Sequence, residues 1–156
     1  MDDNLKKKIL AMKKELMLFT LLNNEEMDLL VPYLEVLLYK AGQSLFEEGE
    51  TGDFLAFIVS GRVQAKKHTE FKGKQIVLAT LEKGSLVGEM SFVNSDEPRS
   101  ASVVTLEDSE FVIIRRDSLD KLTETYPLIG IKILKGLIRI LAIRLQKADE
   151  RFSIIF

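Results

Sequence analysis

Residues Gly84 to Val103 read GSLVGEMSFVNSDEPRSASV: two apolar, strand-like runs around a turn-rich loop of Asn94, Ser95, Asp96 and Pro98. One acid, Glu89, stands directly behind a glycine, and one guanidinium, Arg99, follows ten positions later. Gly88 lets the backbone come close to a ligand, and Glu89, Met90, Ser91 and Phe92 suit one helical turn whose first N–H groups favour an anion. Arg99 can fork onto the same anion in a bidentate way that lysine cannot reproduce. Glu89 is repelled by an anion, so its expected role is to accept a hydrogen bond from a neutral hydroxyl beside it, such as a ribose 2′-hydroxyl. A structural ion pair between Glu89 and Arg99 is the competing explanation.

Working outward, residues 35–116 carry short β-branched and aromatic runs punctuated by glycine, and seven of the nine glycines fall between Gly42 and Gly88. Phe54 to Val59 and Phe111 to Ile114 are apolar throughout, which predicts strands buried on both faces, whereas Arg62 to Lys66 and Ser100 to Val103 alternate. About eight strands suggest a mainly β jelly roll with flanking helices. Lys72-Gly73 is the expected hairpin tip between Val63–Thr69 and Lys74–Leu81.

The flanks have helical periodicity. Leu5, Ile9, Met12, Leu16 and Phe19 predict an amphipathic lead-in helix to Leu22 with lysines, Lys14 among them, on its other face, and Asn23-Asn24 before Glu25-Glu26 predicts a capped second helix to about Pro32. After Arg116, Asp117 or Ser118 can cap a short helix to Tyr126, and Pro127 suits the first turn of a long one. That long helix has two apolar stripes. Ile131, Leu134, Ile138, Leu141, Leu145 and Ala148 form one, and Ile129, Ile133, Leu137 and Ile140 the other. One can cover the barrel, which leaves the other for a partner helix. Gly130 and Gly136 serve either as flexing points or as places of close helix packing.

The 156 residues with net charge −2 suit a single domain, divided here into a helical lead-in (1–34), a β jelly roll (35–116) containing the 84–103 segment, and C-terminal helices (117–152). There is no basic footprint for nucleic acid and no uninterrupted apolar run of membrane-spanning length. The start, Met1-Asp2-Asp3, does not read as a signal peptide, and the absence of cysteine suits a reducing interior, so the expected address is cytoplasmic.

The segment resembles the phosphate-binding cassette of the cyclic nucleotide-binding domain family, which reads Gly-Glu, a short helix, then Pro-Arg-Ser/Thr-Ala. Gly88, Glu89, Pro98, Arg99, Ser100 and Ala101 occupy those places, and Gly42, Glu48-Gly49, Gly52-Asp53, Leu55, Val59, Ser60-Gly61 and Gly84 resemble the family's other glycine-marked turns. The resemblance covers about residues 20–150. It implies a regulatory module, not an enzyme, that takes cyclic AMP or cyclic GMP as ligand and needs neither cofactor nor metal. The implied ligand contacts are Gly88, Glu89, Met90, Ser91, Arg99, Ser100 and Ala101, with Arg144, Ala148 and Asp149 approaching the base. Ala148 has no polar group for reading the base, which leaves the choice between adenine and guanine open. Jelly rolls also occur as cupins, whose metal sites use two or three histidines, but this chain has only His68.

The sequence ends at Ser153-Ile154-Ile155-Phe156 without the output module of larger relatives, so its output is expected to act through a sister subunit or an effector protein. A homodimer through the long helix is the expected assembly. The alternative is a dimeric scaffold that kept the fold and lost the ligand, and the intact Glu89 and Arg99 argue against it.

Overall fold

A computed structural model describes residues 3–13, 16–71, 73–94 and 96–153. Met1 and Asp2 of the acidic start, Lys14 of the lysine face, Lys72 of the hairpin tip, Ser95 of the cassette loop and the tail from Ile154 lie outside the described residues, as do the side chains of Leu5 and Met12. The chain divides into two compact units, a β unit of Tyr33–Leu119 and a helical unit of Met1–Pro32 with Asp120–Phe156.

In the β unit, strands β1 (Leu34–Tyr39), β2 (Ser44–Phe46), β3 (Phe54–Ser60), β4 (Arg62–His68), β5 (Gln75–Glu82), β6 (Leu86–Val87), β7 (Ser102–Thr105) and β8 (Ser109–Arg115) form two four-stranded sheets. Their orders are β1-β8-β3-β6 and β2-β7-β4-β5, with antiparallel pairing throughout, which is the jelly roll. Leu45, Phe46, Ala56, Ile58, Val63, Val87, Val103, Phe111 and Ile113 make its core. Leu55 to Val59 of β3 and Phe111 to Ile114 of β8 are buried on both faces, as continuous apolar runs predict.

Strand β7 departs from expectation, because it begins at Ser102 and leaves Ser100 and Ala101 in the preceding loop. β5 closes one end of its sheet, and its Ile76, Val77 and Leu78 stay half-exposed.

In the helical unit the lead-in helix is shorter than its periodicity predicts. α1 covers Asp3–Met12, and Met17–Phe19 forms a separate 3-10 turn with Leu16, Leu18 and Phe19 buried. Helix α2, Asn24–Leu30, opens with a reciprocal cap: the Glu26 amide donates to Asn23 Oδ1 and the Asn23 amide to Glu26 Oε2, both at 2.8 Å. Lys132 pairs with Glu26 across the unit. A short helix α3 (Glu89–Val93) belongs to the β unit, and α4 (Arg116–Thr125) leads from that unit into the helical one, starting before either expected cap.

Pro127 is the first residue of α5, Pro127–Ser153, whose Ile129, Ile133 and Leu137 are buried while Ile131, Leu134, Ile138, Leu141 and Leu145 are exposed. α5 packs on the 3-10 turn. A β-carbon at Gly136 would lie 2.4 Å from the Leu18 carbonyl oxygen, and one at Gly130 would lie 2.5 Å from Thr123 Oγ1, so close packing accounts for both glycines.

Candidate functional site

The site is built around Arg99, which is only 2% exposed. Its guanidinium carbon sits 4.0 Å from the centre of the Phe46 ring and 4.6 Å from that of Phe54, with the two rings edge to face. Nη1 donates to the Gly88 carbonyl (3.0 Å) and to Ser91 Oγ (3.1 Å), and Nη2 donates to the Phe54 carbonyl (3.0 Å). Nε is buried and, among the described residues, donates to no group. Three of the guanidinium's five N–H hydrogens are thus engaged among the described residues, leaving the one on Nε and one on Nη2.

The partners of Arg99 are carbonyls and a hydroxyl, not a carboxylate. Burial therefore lowers its pKa below the ordinary guanidinium value, and the nearby charges of Asp53 and Glu50 offset part of that, with Glu89 the smallest contributor among these acids. The ion-pair explanation for Glu89 and Arg99 does not describe this geometry. A buried cation held by neutral groups is the electrostatic complement of an anion.

The backbone holds Arg99 as firmly as the side chain does. Its amide donates to the Glu50 carbonyl at 2.7 Å and its carbonyl accepts from the Gly49 amide at 2.9 Å, so the 47–52 loop runs alongside it. The buried Ser102 secures that loop, accepting from the Glu48 amide and donating to Glu47 Oε2. Glu48 in turn accepts from both the amide and Nδ1 of His68, an exposed ring that also meets Gln75 Nε2.

Gly88 stands at φ 85°, ψ 12°, a left-handed conformation in which it supplies no side-chain cap to α3. A β-carbon there would also lie 2.4 Å from Arg99 Nη1, so glycine is required for both backbone and space. Glu89, Met90 and Ser91 follow as the first residues of α3; Ser91 is buried and Met90 is exposed. The Ser100 hydroxyl donates to Met90 Sδ at 3.4 Å.

Gly88, Ser91 and Arg99 are thus in mutual contact, Met90 and Ser100 meet beside them, and half-buried Ala101 leads into β7. Arg144, Ala148 and Asp149 belong to α5 in the other unit.

Sequence reasoning missed the two rings that enclose Arg99, the steric fit of Gly52 against Ser91, and Arg116. The only available signal for the rings was that Phe46 and Phe54 flank the acidic, glycine-bearing loop. Arg116 gave none, because its partners are backbone carbonyls, to which a sequence pattern is blind.

Residues 36–126 match the family model of the cyclic nucleotide-binding domain. The chain belongs to that family. It is 36% identical over 138 residues to the cyclic AMP receptor protein of Thermus thermophilus, covering 88% of this chain and 61% of that protein. It is 28% identical over 131 residues to human cGMP-dependent protein kinase 2, covering 83% of this chain and 16% of the kinase. The solved cyclic nucleotide-binding domain from Methylobacillus flagellatus KT superposes with a TM-score of 0.84 at 30% identity, covering 97% of this chain and 84% of that one. The chain spans less than two thirds of the length of either curated relative. Among the described residues no helix is long and apolar enough to cross a membrane.

Proposed function

We propose that this domain captures a cyclic purine mononucleotide, cyclic AMP before cyclic GMP, and passes the event on through α5. The observation that carries the reading is Arg99: a cation 2% exposed and held, among the described residues, only by neutral acceptors, with a buried Nε–H that donates to none of them. The phosphate takes the remaining Arg99 hydrogens, Ser100 adds its hydroxyl, and Gly88 and Ala101 keep the approach clear. Met90 and Ser91 line the turn, and Glu89 accepts from the ribose 2′-hydroxyl. Arg144, Ala148 and Asp149 face the base. The preference for cyclic AMP leans on the longer and higher-identity match to a protein named as a cyclic AMP receptor.

The exposed α5 stripe supports a second copy of this chain as the partner, packed about a two-fold axis, and an effector protein then reads the helix pair. Isothermal titration with cyclic AMP, cyclic GMP and the linear 5′-monophosphates tests the reading. Tight binding of a cyclic nucleotide over its linear form is expected, and no cyclic nucleotide binding at millimolar ligand would sink it.

A further inference from the structure

Arg116 opens α4 and sends its guanidinium to three backbone carbonyls. Nη2 donates to Gly52 O and to Ser91 O, each at 2.6 Å, and Nε donates to Phe92 O at 3.1 Å. Its own amide donates to Asp53 O at 2.8 Å. Two of those carbonyls sit toward the C-terminal end of the five-residue α3, where helix carbonyls lack intrahelical partners and a cation is favoured.

Ser91 is therefore held at both ends, with its carbonyl on Arg116 and its hydroxyl on Arg99 Nη1. Gly52 is held the same way: its carbonyl meets Arg116, and its α-carbon lies so near Ser91 that a β-carbon would fall 1.9 Å from Oγ. One guanidinium thus joins the 47–52 loop, the cassette helix and the start of the helix that leaves the β unit.

The geometry points to Arg116 as a positioning residue for the anion site: by fixing Ser91 and Gly52 it sets the aim of the Arg99 hydrogens, and it ties the cassette helix to α4. It acts through Ser91 without touching the ligand, and the inference rests on the cyclic nucleotide reading of the cassette. Lysine cannot replace it, because a compact ammonium does not reproduce a planar fork across three carbonyls. Arg62 is a control outside this network: its Nε and Nη2 donate to Glu107 Oε2 at 3.2 and 3.1 Å.

The test compares Arg116→Lys, Arg116→Ala and Arg62→Ala by two readouts: the 15N–1H signal of Arg99 Nε in the protein without nucleotide, and isothermal titration with cyclic AMP. Both Arg116 variants are expected to displace or broaden the Arg99 signal and to weaken affinity about tenfold or more. Arg62→Ala is expected to leave both nearly unchanged even if it unfolds more easily. Where Arg116→Ala fails to fold, Arg116→Lys, which keeps the charge and most of the stem, supplies both readouts. Wild-type signal and affinity in Arg116→Lys would overturn the inference, as would equal losses of affinity in Arg62→Ala and Arg116→Ala. If the wild-type protein binds no cyclic AMP, the cassette reading fails by itself, while the Arg99 Nε signal still decides whether Arg116 positions it.

Discussion

A β-carbon on Gly52 would lie 1.9 Å from the Ser91 hydroxyl oxygen, the same oxygen that receives Arg99 Nη1 at 3.1 Å. Gly52→Ala therefore has to displace either the cassette helix or the guanidinium. Overpacking of this kind costs about 1–3 kcal/mol. Urea unfolding should show that loss together with weaker cyclic AMP binding, and Gly52→Ala with Ser91→Gly should recover part of the stability relative to the sum of the single changes. Strict additivity of the two would mean that the contact is not felt.

Arg99→Ala leaves Gly88 O, Phe54 O and Ser91 Oγ without their donor. Each buried acceptor left unpaired costs about 1–3 kcal/mol, so the variant should lose stability as well as at least about tenfold in affinity. Arg99→Lys keeps the charge but not the fork, and should bind almost as poorly in titration calorimetry. Full affinity in Arg99→Lys would assign Arg99 to the fold alone.

If Glu89 accepts from the ribose 2′-hydroxyl, 2′-deoxy cyclic AMP should bind at least about tenfold more weakly than cyclic AMP, because a carboxylate left without its donor loses about 1–3 kcal/mol. Competition against a fluorescent analogue reads the ratio directly. Equal affinities would give Glu89 a structural role.

The two stripes of α5 predict opposite outcomes for the same chemical change. Ile138 and Leu145 are each 65% exposed, whereas Ile133 and Leu137 are 1% and 4% exposed. Burying one such side chain contributes about 1.5–3 kcal/mol, so changing Ile138 and Leu145 together to glutamate should convert a dimer into a folded monomer in sedimentation. Ile133→Glu with Leu137→Glu should unfold the helical unit. A wild-type protein that sediments as a monomer at tens of micromolar, with and without nucleotide, refutes the dimer.

Acid should loosen the loop beside Arg99. Hydroxyl hydrogen bonds, from Ser44 and then Ser102, hold Glu47 below its ordinary 4.5, and the backbone and ring of His68 do the same for Glu48. A carboxylate whose pKa is lowered by folding contributes stability that is complete above its unfolded pKa and is lost as pH falls through the folded value. Stability is therefore expected to decline as pH drops below about 4.5, and Glu47→Gln should flatten that decline in pH-dependent thermal unfolding. An unchanged slope would show that the Ser102 contact adds nothing.

The sheet architecture was legible because its signals are local and repeated: apolar runs in β3 and β8, glycine turns between strands, and the Asn23 cap. Periodicity overextends the lead-in helix because Leu16 and Phe19 keep the helical phase of Ile9 beyond the end of α1 at Met12, and burial alone does not distinguish a continuing helix from a 3-10 turn. Gly88, Glu89 and Arg99 were legible as a cassette because they stand in one continuous stretch. Phe46, Gly52, Ser102 and Arg116 were not, because each joins the site through tertiary contacts with residues at least a dozen positions away. Which α5 stripe is inward depended on where the 3-10 turn sits, and the helix's own periodicity is symmetric in that respect.

The aromatic enclosure of Arg99 bears on the entropy of capture. A solvent-facing arginine has about 2 kcal/mol of rotamer freedom, and a ligand that recruits one must freeze it on arrival. Here Phe46 and Phe54 close on the guanidinium while its Nη atoms are bonded to the cassette's Gly88 carbonyl and Ser91 hydroxyl and to the Phe54 carbonyl of β3. That freedom is surrendered as the barrel folds, so on the proposed reading an incoming phosphate would meet a donor that is already at rest.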